Sequence, residues 1–107
     1  MRVRVCMYRL VDWRRKDLQK LLVHRGAVLH GAQLQGQDLS RLGFVECSLA
    51  YADLSGCNLS YCSFNGADLS GADLRKANLS NAMLKDAILP AWNSGLLEGV
   101  RLTGATG

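Results

Sequence analysis

The chain has 107 residues, enough for one domain with short appendages. Apolar residues make up 49% and Pro occurs once, so the composition favours a folded protein over a disordered one. No stretch of about 18 consecutive apolar residues is present, which argues against a membrane-spanning helix. The formal net charge is +4, and its distribution along the chain is more informative than the total.

The first segment, residues 1–26, is predicted to form a strand followed by a basic helix. Val3, Val5 and Met7 alternate with polar or basic residues, which is typical of a strand rather than of a signal sequence or presequence. Residues 12–25 are predicted to be helical, beginning at Asp12 and ending before Gly26. We therefore expect a cytoplasmic protein, with the nucleus as the alternative location.

This helix has two chemically different faces. Leu18, Leu21 and Leu22 form an apolar face, which we expect to cap the end of the following repeats. The opposite face is basic and consists of Arg14, Arg15, Lys16, Lys20 and Arg25. Residues 1–26 contain eight Lys or Arg and two Asp, a net +6, whereas the remainder is at −2. The basic face is interpreted as a solvated cap surface, and the alternative is a contact for an acidic partner through Arg14, Arg15 and Lys16.

Residues 27–91 repeat with a period of five. A Leu or Phe occupies every fifth position thirteen times: Leu29, Leu34, Leu39, Phe44, Leu49, Leu54, Leu59, Phe64, Leu69, Leu74, Leu79, Leu84 and Leu89. Two residues earlier stands Ala or Cys in eleven of the thirteen repeats, and the exceptions are Gln37 and Leu42. Asp or Asn often precedes the Leu, and Ser and Gly often follow it. We expect the first coil, which contains both exceptions, to be less regular.

A period of five fits neither a helix nor a strand. Five residues turn an α-helix through about 500°, which would distribute the leucines around its circumference, and a strand would place successive leucines on opposite faces. Both conflicts disappear if the chain turns a corner once per repeat. Four corners close a coil of twenty residues, and coils should stack at about 4.8 Å. Leu then points inward at every level, with Ala or Cys beside it where space is short.

The runs Ala-Asp-Leu-Ser-Gly at 67–71, Ala-Asp-Leu-Arg-Lys at 72–76 and Ala-Asn-Leu-Ser-Asn at 77–81 resemble the pentapeptide-repeat family. The resemblance covers 65 of the 107 residues. It implies an all-β solenoid, the right-handed quadrilateral β-helix of that family, here with an N-terminal α-helical cap. Leucine-rich repeats fit less well because their unit is longer and asymmetric.

A second, weaker resemblance is to the C-terminal repeat region of BTB/POZ adaptors of the potassium-channel-tetramerisation-domain type. It depends on the basic helix before the repeats, the phrase Gly-Gln-Asp-Leu-Ser-Arg-Leu at 36–42, the cysteines of the repeats and a later Ser-Gly loop. Such proteins present substrates to cullin-based ubiquitin ligases. Residues 1–26 are too short for a BTB domain, so the resemblance extends to the substrate-recognition part alone.

Residues 92–107 leave the repeat register. Pro90, Trp92 and Gly95 indicate a loop, after which Val100, Leu102 and Ala105 resume a repeat-like spacing. Two interpretations remain open for this segment. It is either a partial repeat of a longer array or a closing cap made by Trp92 and the neighbouring leucines.

No arrangement of residues typical of catalysis or metal binding is found. Cys47, Cys57 and Cys62 occupy the small inward position of three different repeats, so they should not converge on a metal, and we expect buried free thiols. His24 and His30 have no triad partners in the sequence pattern, and we expect surface or cap positions. The Asp residues in the array belong to the repeat pattern itself and do not indicate a catalytic site. We therefore expect no enzyme activity, no cofactor and no metal.

The function expected from these patterns is that of a non-catalytic protein-interaction scaffold, with the substrate-recognition part of a ubiquitin-ligase adaptor as its narrower form. Stacking every twenty residues predicts one wall with Val28, Ser48, Asp68 and Ile88, next to Tyr51. Another should carry Ser40, Ser60 and Ser80, next to Tyr61. Tyr51 and Tyr61 are the predicted contacts for a protein partner.

Two alternatives involve polyanions. A DNA mimic that modulates gyrase or another topoisomerase needs a long and strongly negative rod, and the array is at −2 over little more than three coils. The basic segment could instead bind nucleic acid or an anionic membrane surface through Arg14, Arg15 and Lys16. Nucleic acid is the less favoured partner, and a purely structural role is the remaining possibility.

Overall fold

The structure, a computed structural model, describes residues 14–22 and 25–107. The predicted N-terminal strand, Asp12 and His24 lie outside these residues. No helix in the described part of the chain is long and apolar enough to cross a membrane.

Within the described residues the α-helix α1 spans Arg15–Leu21, whereas the sequence predicted a helix over 12–25. It begins after Arg14, whose backbone N–H donates to Asp17 Oδ2 at 3.1 Å. Asp17 therefore satisfies a free donor at the helix start, a position where a negative charge is also favourable. Gly26, which was expected to end the helix, has a φ of 77° and forms the first corner of the coil instead.

The chain turns a corner every five residues from Gly26 to Asp86. Thirteen successive corner residues have a positive φ, and six of them are Gly. At the corner after Leu29, for example, the N–H of Ala32 donates to the Leu29 carbonyl oxygen at 3.1 Å. A turn with a positive φ at its third residue has type II character, which Gly adopts most easily. The Gly that stands two residues after five of the central Leu or Phe residues, from Leu29 to Leu69, is thereby explained.

Parallel backbone bridges join residues that are twenty apart. Nine of them follow that spacing, from Val28 with Ser48 to Asp68 with Ile88. Each side of the coil contributes one bridging residue per level rather than an extended strand. The predicted stacking of Val28, Ser48, Asp68 and Ile88 is present.

We name the four sides by their bridging residues. Wall A has Val28, Ser48, Asp68 and Ile88; wall B has Gln33, Asp53 and Asp73; wall C has Asp38, Asn58, Asn78 and Arg101; wall D has Gly43, Ser63, Met83 and Thr106. Walls A and C are opposite each other, as are walls B and D, because they are half a coil apart.

The interior is filled by the repeat residues. The central Leu or Phe of every repeat from Leu29 to Leu79 is at most 1% exposed. Phe44 and Phe64 stack on successive levels with their ring centroids 5.1 Å apart. Leu42 is 7% exposed and belongs to the same core, as does Leu18 of α1 at 0%. The first coil thus admits Leu42 inward while Gly43 keeps its twenty-residue bridge to Ser63.

The register shifts after Leu89. Position 92 would be the small inward position of the next repeat, but it holds a Trp, which is too large for it and is 87% exposed. The ladder resumes with a spacing of 23, in the bridges of Asn78 with Arg101 and of Met83 with Thr106. Three extra residues are therefore accommodated in the loop at 90–95, which lies at the corner between walls A and B.

Candidate interaction surfaces

Tyr51 lies at the corner between walls A and B. Its side chain is 65% exposed, and its φ is 61°. The His30 ring lies 5.3 Å from the Tyr51 ring on the level before it. On the level after it, a Cβ added to Gly71 would lie 2.5 Å from Tyr51 Cε1. The exposed ring of Tyr51 therefore lies between His30 on the level before it and Gly71 on the level after it.

Tyr61 lies at the corner between walls C and D and is 52% exposed. The Arg41 guanidinium carbon is 4.6 Å from the centroid of its ring, a cation–π distance. Tyr51 and Tyr61 are ten residues apart, which is half a coil, so they occupy diagonally opposite corners. Because no wall is bounded by both corners, a partner that lies flat on one wall contacts only one of these tyrosines.

The predicted basic contacts do not form a single free face. The guanidinium of Arg15 donates to the Asp38 carbonyl oxygen at 3.1 Å and lies 4.0 Å from its carboxylate. Arg25, on the predicted face, is paired with Glu46 at 2.9 Å. Arg14 and Lys16 lie at the exposed surface of α1. Arg15 therefore joins the helix to the first coil rather than facing solvent with its neighbours.

The Asp and Asn side chains of the repeat accept hydrogen bonds within its turns. In six repeats the side-chain Oδ1 accepts a hydrogen bond from the backbone N–H two residues later: Asp38, Asp53, Asn58, Asp68, Asp73 and Asn78. Such Asx turns stabilise the bend at these six corners. The stacked Asp53 and Asp73 thus have a structural explanation, as the repeat pattern suggested.

In Asp38, Asp68 and Asp73 these hydrogen bonds lower the pKa and favour the charged form of the carboxylate. The hydroxyl of Ser70 and then its backbone N–H lower the pKa of Asp68. For Asp73, the hydrogen bond from the Arg75 side chain is the main cause of the lowered pKa, and the two groups form an ion pair at 2.6 Å. A carboxylate that acts as a general base near neutral pH has a raised pKa instead.

The three cysteines of the repeats are buried free thiols. The Cys57 thiol donates to the Leu34 carbonyl oxygen at 2.9 Å, and the Cys62 thiol donates to the Leu39 carbonyl oxygen at 3.0 Å. Burial raises the pKa of Cys62 to about 12. Within residues 14–22 and 25–107, no group of three or more His, Cys, Asp or Glu side chains could hold a metal ion.

A shallow concavity of about 490 Å³ lies at the corner between walls B and C. It is lined by Ser55, Gly56, Arg75, Lys76 and Glu98. The sequence did not indicate this feature, because Glu98 stacks on Arg75 and Lys76 only through the 23-residue spacing after the loop. The positions of Gly71 beside Tyr51 and of Arg41 beside Tyr61, by contrast, follow from the twenty-residue spacing.

A family model for pentapeptide repeats matches residues 27–60 and 52–89 with eight copies. The chain belongs to the pentapeptide-repeat family. Its four-sided coil is accordingly the right-handed quadrilateral β-helix of this family, whose members are generally non-catalytic.

Three solved pentapeptide-repeat structures resemble the chain. HetL, which is involved in the regulation of heterocyst differentiation in the cyanobacterium Nostoc sp. PCC 7120, is 31% identical with a TM-score of 0.51 over 75% of this chain and 38% of HetL. A protein of the cyanobacterium Cyanothece 51142 is 31% identical, with a TM-score of 0.36, over 76% of this chain and 54% of that one. A protein of the Arabidopsis thaliana thylakoid lumen is 30% identical, with a TM-score of 0.35, over 74% of this chain and 46% of that one.

The chain thus spans 38% to 54% of the length of these three proteins. No curated protein sequence gave a significant match. These comparisons add no support to the weaker resemblance to BTB/POZ adaptors.

Proposed function

We propose that the protein is a non-catalytic scaffold that binds other proteins through the outer side chains of its coil. The observation that carries this proposal is the combination of exposure and a positive φ at Tyr51 and Tyr61. Both are more than half exposed, and both hold a positive φ, of 61° and 60°. An L-residue in this conformation costs about 1 to 2 kcal/mol, and Gly would avoid that cost. A bulky side chain at a strained and exposed position is a reason to look for a function.

Helix α1 has a supporting role in this proposal. Leu18 is fully buried against the coil, and Arg15 contacts Asp38 of the first level. We assign α1 as the cap that covers the apolar end of the first coil, which an uncapped solenoid would expose to water. The coil can then act as a rigid body on which partner-binding side chains are held in place.

The test is an affinity pull-down with the full chain and with Tyr51→Ala and Tyr61→Ala. Partners that are retained by the parent chain and lost by one variant support the scaffold. Met83→Ala serves as the control, because Met83 is an exposed apolar side chain of wall D without a corner position. If no captured protein depends on either tyrosine, these residues are not the contacts.

The narrower role in a ubiquitin ligase has no support beyond the sequence resemblance and stays a prediction, as does a cytoplasmic location. The DNA-mimic alternative is disfavoured by charge. Asp73 is paired with Arg75 and Glu46 with Arg25, so the acids do not form an uninterrupted negative row. Inhibition of gyrase in a supercoiling assay would reverse that assessment.

A further inference from the structure

The charged side chains of the described residues are distributed unevenly around the coil. Walls A and B carry acids, with Asp53, Asp68 and Asp73 against Arg75, which is paired with Asp73. The corner between walls D and A is balanced, with Arg25 and Lys85 against Glu46 and Asp86. Neither of these regions offers an excess of positive charge.

Wall C and its two edges have the opposite sign. Their cations are Arg15, Arg41, Lys76 and Arg101, together with Arg75 at the edge with wall B, whose charge is paired with Asp73; their acids are Asp38 and Glu98. Arg101 bridges Asn78 in the centre of the wall, and Arg41 stands over Tyr61 at its edge with wall D. An array that is mildly acidic as a whole therefore has one positive side.

The uncharged side chains of wall C add hydrogen-bond donors. The Oδ1 atoms of Asn58 and Asn78 accept hydrogen bonds from the backbone N–H groups of Ser60 and Ser80, at 3.1 and 3.0 Å. The amide oxygens therefore face the backbone turn, and each amide NH₂ group can donate a hydrogen bond to a ligand. Wall C thus combines cations with outward donors, which is the complement of a carboxylate-bearing ligand.

We propose that wall C binds an acidic, extended segment of a partner protein; this inference rests on the proposed scaffold function and names its surface and partner chemistry. The cations extend from Arg41 in the first coil to Arg101 in the fourth, a distance of about 14 Å at the spacing of stacked coils. An extended peptide covers that distance with about four residues. Tyr61 supplies an aromatic contact at the edge of the same surface.

A peptide fits this surface better than a nucleic acid does. The array that carries wall C has a net charge of −2. A polyanion with evenly spaced phosphates would meet the acids of the neighbouring corners as well as the cations of wall C. A short segment with a few carboxylates can be confined to the positive wall.

The test uses the full chain and a fluorescent, end-capped eight-residue peptide of alternating Glu and Ala, with binding followed by anisotropy at low salt. We expect Lys76→Gln with Arg101→Gln to weaken binding at least fivefold. The matched control is Lys85→Gln with Lys20→Gln, which removes the same charge from exposed residues outside wall C. Binding should also weaken as salt is raised to about 0.15 M. Circular dichroism of each variant shows that the fold is retained.

Three outcomes would overturn the proposal: no binding of the peptide, equal losses in the wall C pair and the control pair, or a single-stranded oligonucleotide that binds more tightly than the peptide and is lost with the wall C pair. A pull-down with the same pairs separates this inference from the scaffold function. If the wall C pair retains every partner while Tyr51→Ala loses one, the scaffold stands and wall C is the wrong surface. If no partner depends on any of these residues, both proposals fail.

Discussion

At the residue scale, several corner residues combine a strained backbone conformation with side-chain contacts to a neighbouring level. Seven corner residues other than Gly have a positive φ: Arg41, Glu46, Tyr51, Tyr61, Lys76, Asn81 and Asp86. Four of them contact a side chain on a neighbouring level: Arg41 and Tyr61 contact each other, Glu46 contacts Arg25, and Tyr51 contacts His30. These contacts offset part of the backbone strain, and they hold the exposed tyrosines in defined positions.

We expect Gly71→Ala to destabilise the protein more than Gly36→Ala. Both glycines have a positive φ, of 65° and 73°, so each substitution should cost about 1 to 2 kcal/mol in backbone strain. A new Cβ meets nothing within 4 Å at Gly36, but at Gly71 it meets the Tyr51 ring. Displacing that ring should add about 1 kcal/mol. Urea unfolding of the two variants measures the difference.

The contribution of the ring is isolated in a Tyr51→Ala background. There, Gly71→Ala and Gly36→Ala should cost the same, because the atoms that clash have been removed. An equal excess cost at Gly71 with and without the tyrosine would mean that Tyr51 does not lie over Gly71.

Asp68 provides a pH prediction. Its pKa is lowered by the hydrogen bonds from Ser70, so its carboxylate stabilises the fold at all pH values above its unfolded pKa of about 3.9. That contribution is lost as the pH falls through the lower pKa of the folded state. Asp68→Asn should keep the Asx turn, as Asn58 and Asn78 do, and leave stability at pH 7 within about 0.5 kcal/mol. Its stability should fall less than that of the parent chain between pH 4 and pH 2, as measured by denaturant titrations at each pH.

At the element scale, α1 and the walls depend on few side chains. The helix has seven residues, which is too short to be stable by itself. Its position is therefore determined by tertiary contacts, chiefly the burial of Leu18 and the contact of Arg15 with Asp38. Each wall is held in turn by the ladder and by its inward side chains.

Leu18→Ala should expose the first coil. Removing a fully buried Leu costs about 2 to 5 kcal/mol, and here the loss falls on one end of the solenoid. We expect faster hydrogen exchange at Leu29 and Gly31, whose N–H groups bind the second coil, than at Leu69 in the third. Gln19→Ala, an exposed change on the same helix, is the control. Unchanged exchange at Leu29 would contradict the assignment of α1 as a cap.

Cys62 should be unreactive while the walls are intact. Its pKa of about 12 keeps the thiol protonated in the folded state, and burial excludes reagents. In a Cys6→Ser background, we expect negligible alkylation by iodoacetamide at pH 8 and full alkylation in denaturant. Because the folded pKa is raised, the stability from this group is complete below the unfolded pKa of about 8.5 and is lost as the pH rises towards 12. Cys62→Ala should reduce that alkaline loss.

At the scale of the whole molecule, the five-residue period predicts the walls, the corners and the buried side chains of residues 27–89. It also predicts which residues stack, as for Arg41 with Tyr61, because stacked residues follow a fixed spacing of twenty. It does not predict the concavity at Lys76 and Glu98, which depends on the three-residue shift in the loop. It cannot predict the short helix either, since the contact of Arg15 with Asp38 is tertiary. The sign of charge on each wall becomes visible only when all levels are stacked.

The loop at 90–95 should be dispensable for the fold. Deleting residues 91–93 together with Ser94→Gly returns the spacing to twenty, places Gly at a corner and another Gly, Gly95, at the small inward position. Loop closure depends only weakly on length, so we expect stability within about 1 to 2 kcal/mol of the parent chain. The last coil should keep slow hydrogen exchange at Arg101 and Thr106, whose N–H groups donate to the Ala77 and Ala82 carbonyl oxygens at 3.0 Å. Trp92→Ala in the full-length loop is the control and should change stability by less than about 0.5 kcal/mol, because the side chain is exposed. Fast exchange at Arg101 in the shortened chain would show that the last coil needs the loop, and that the repeat rule alone does not determine the order of its final level.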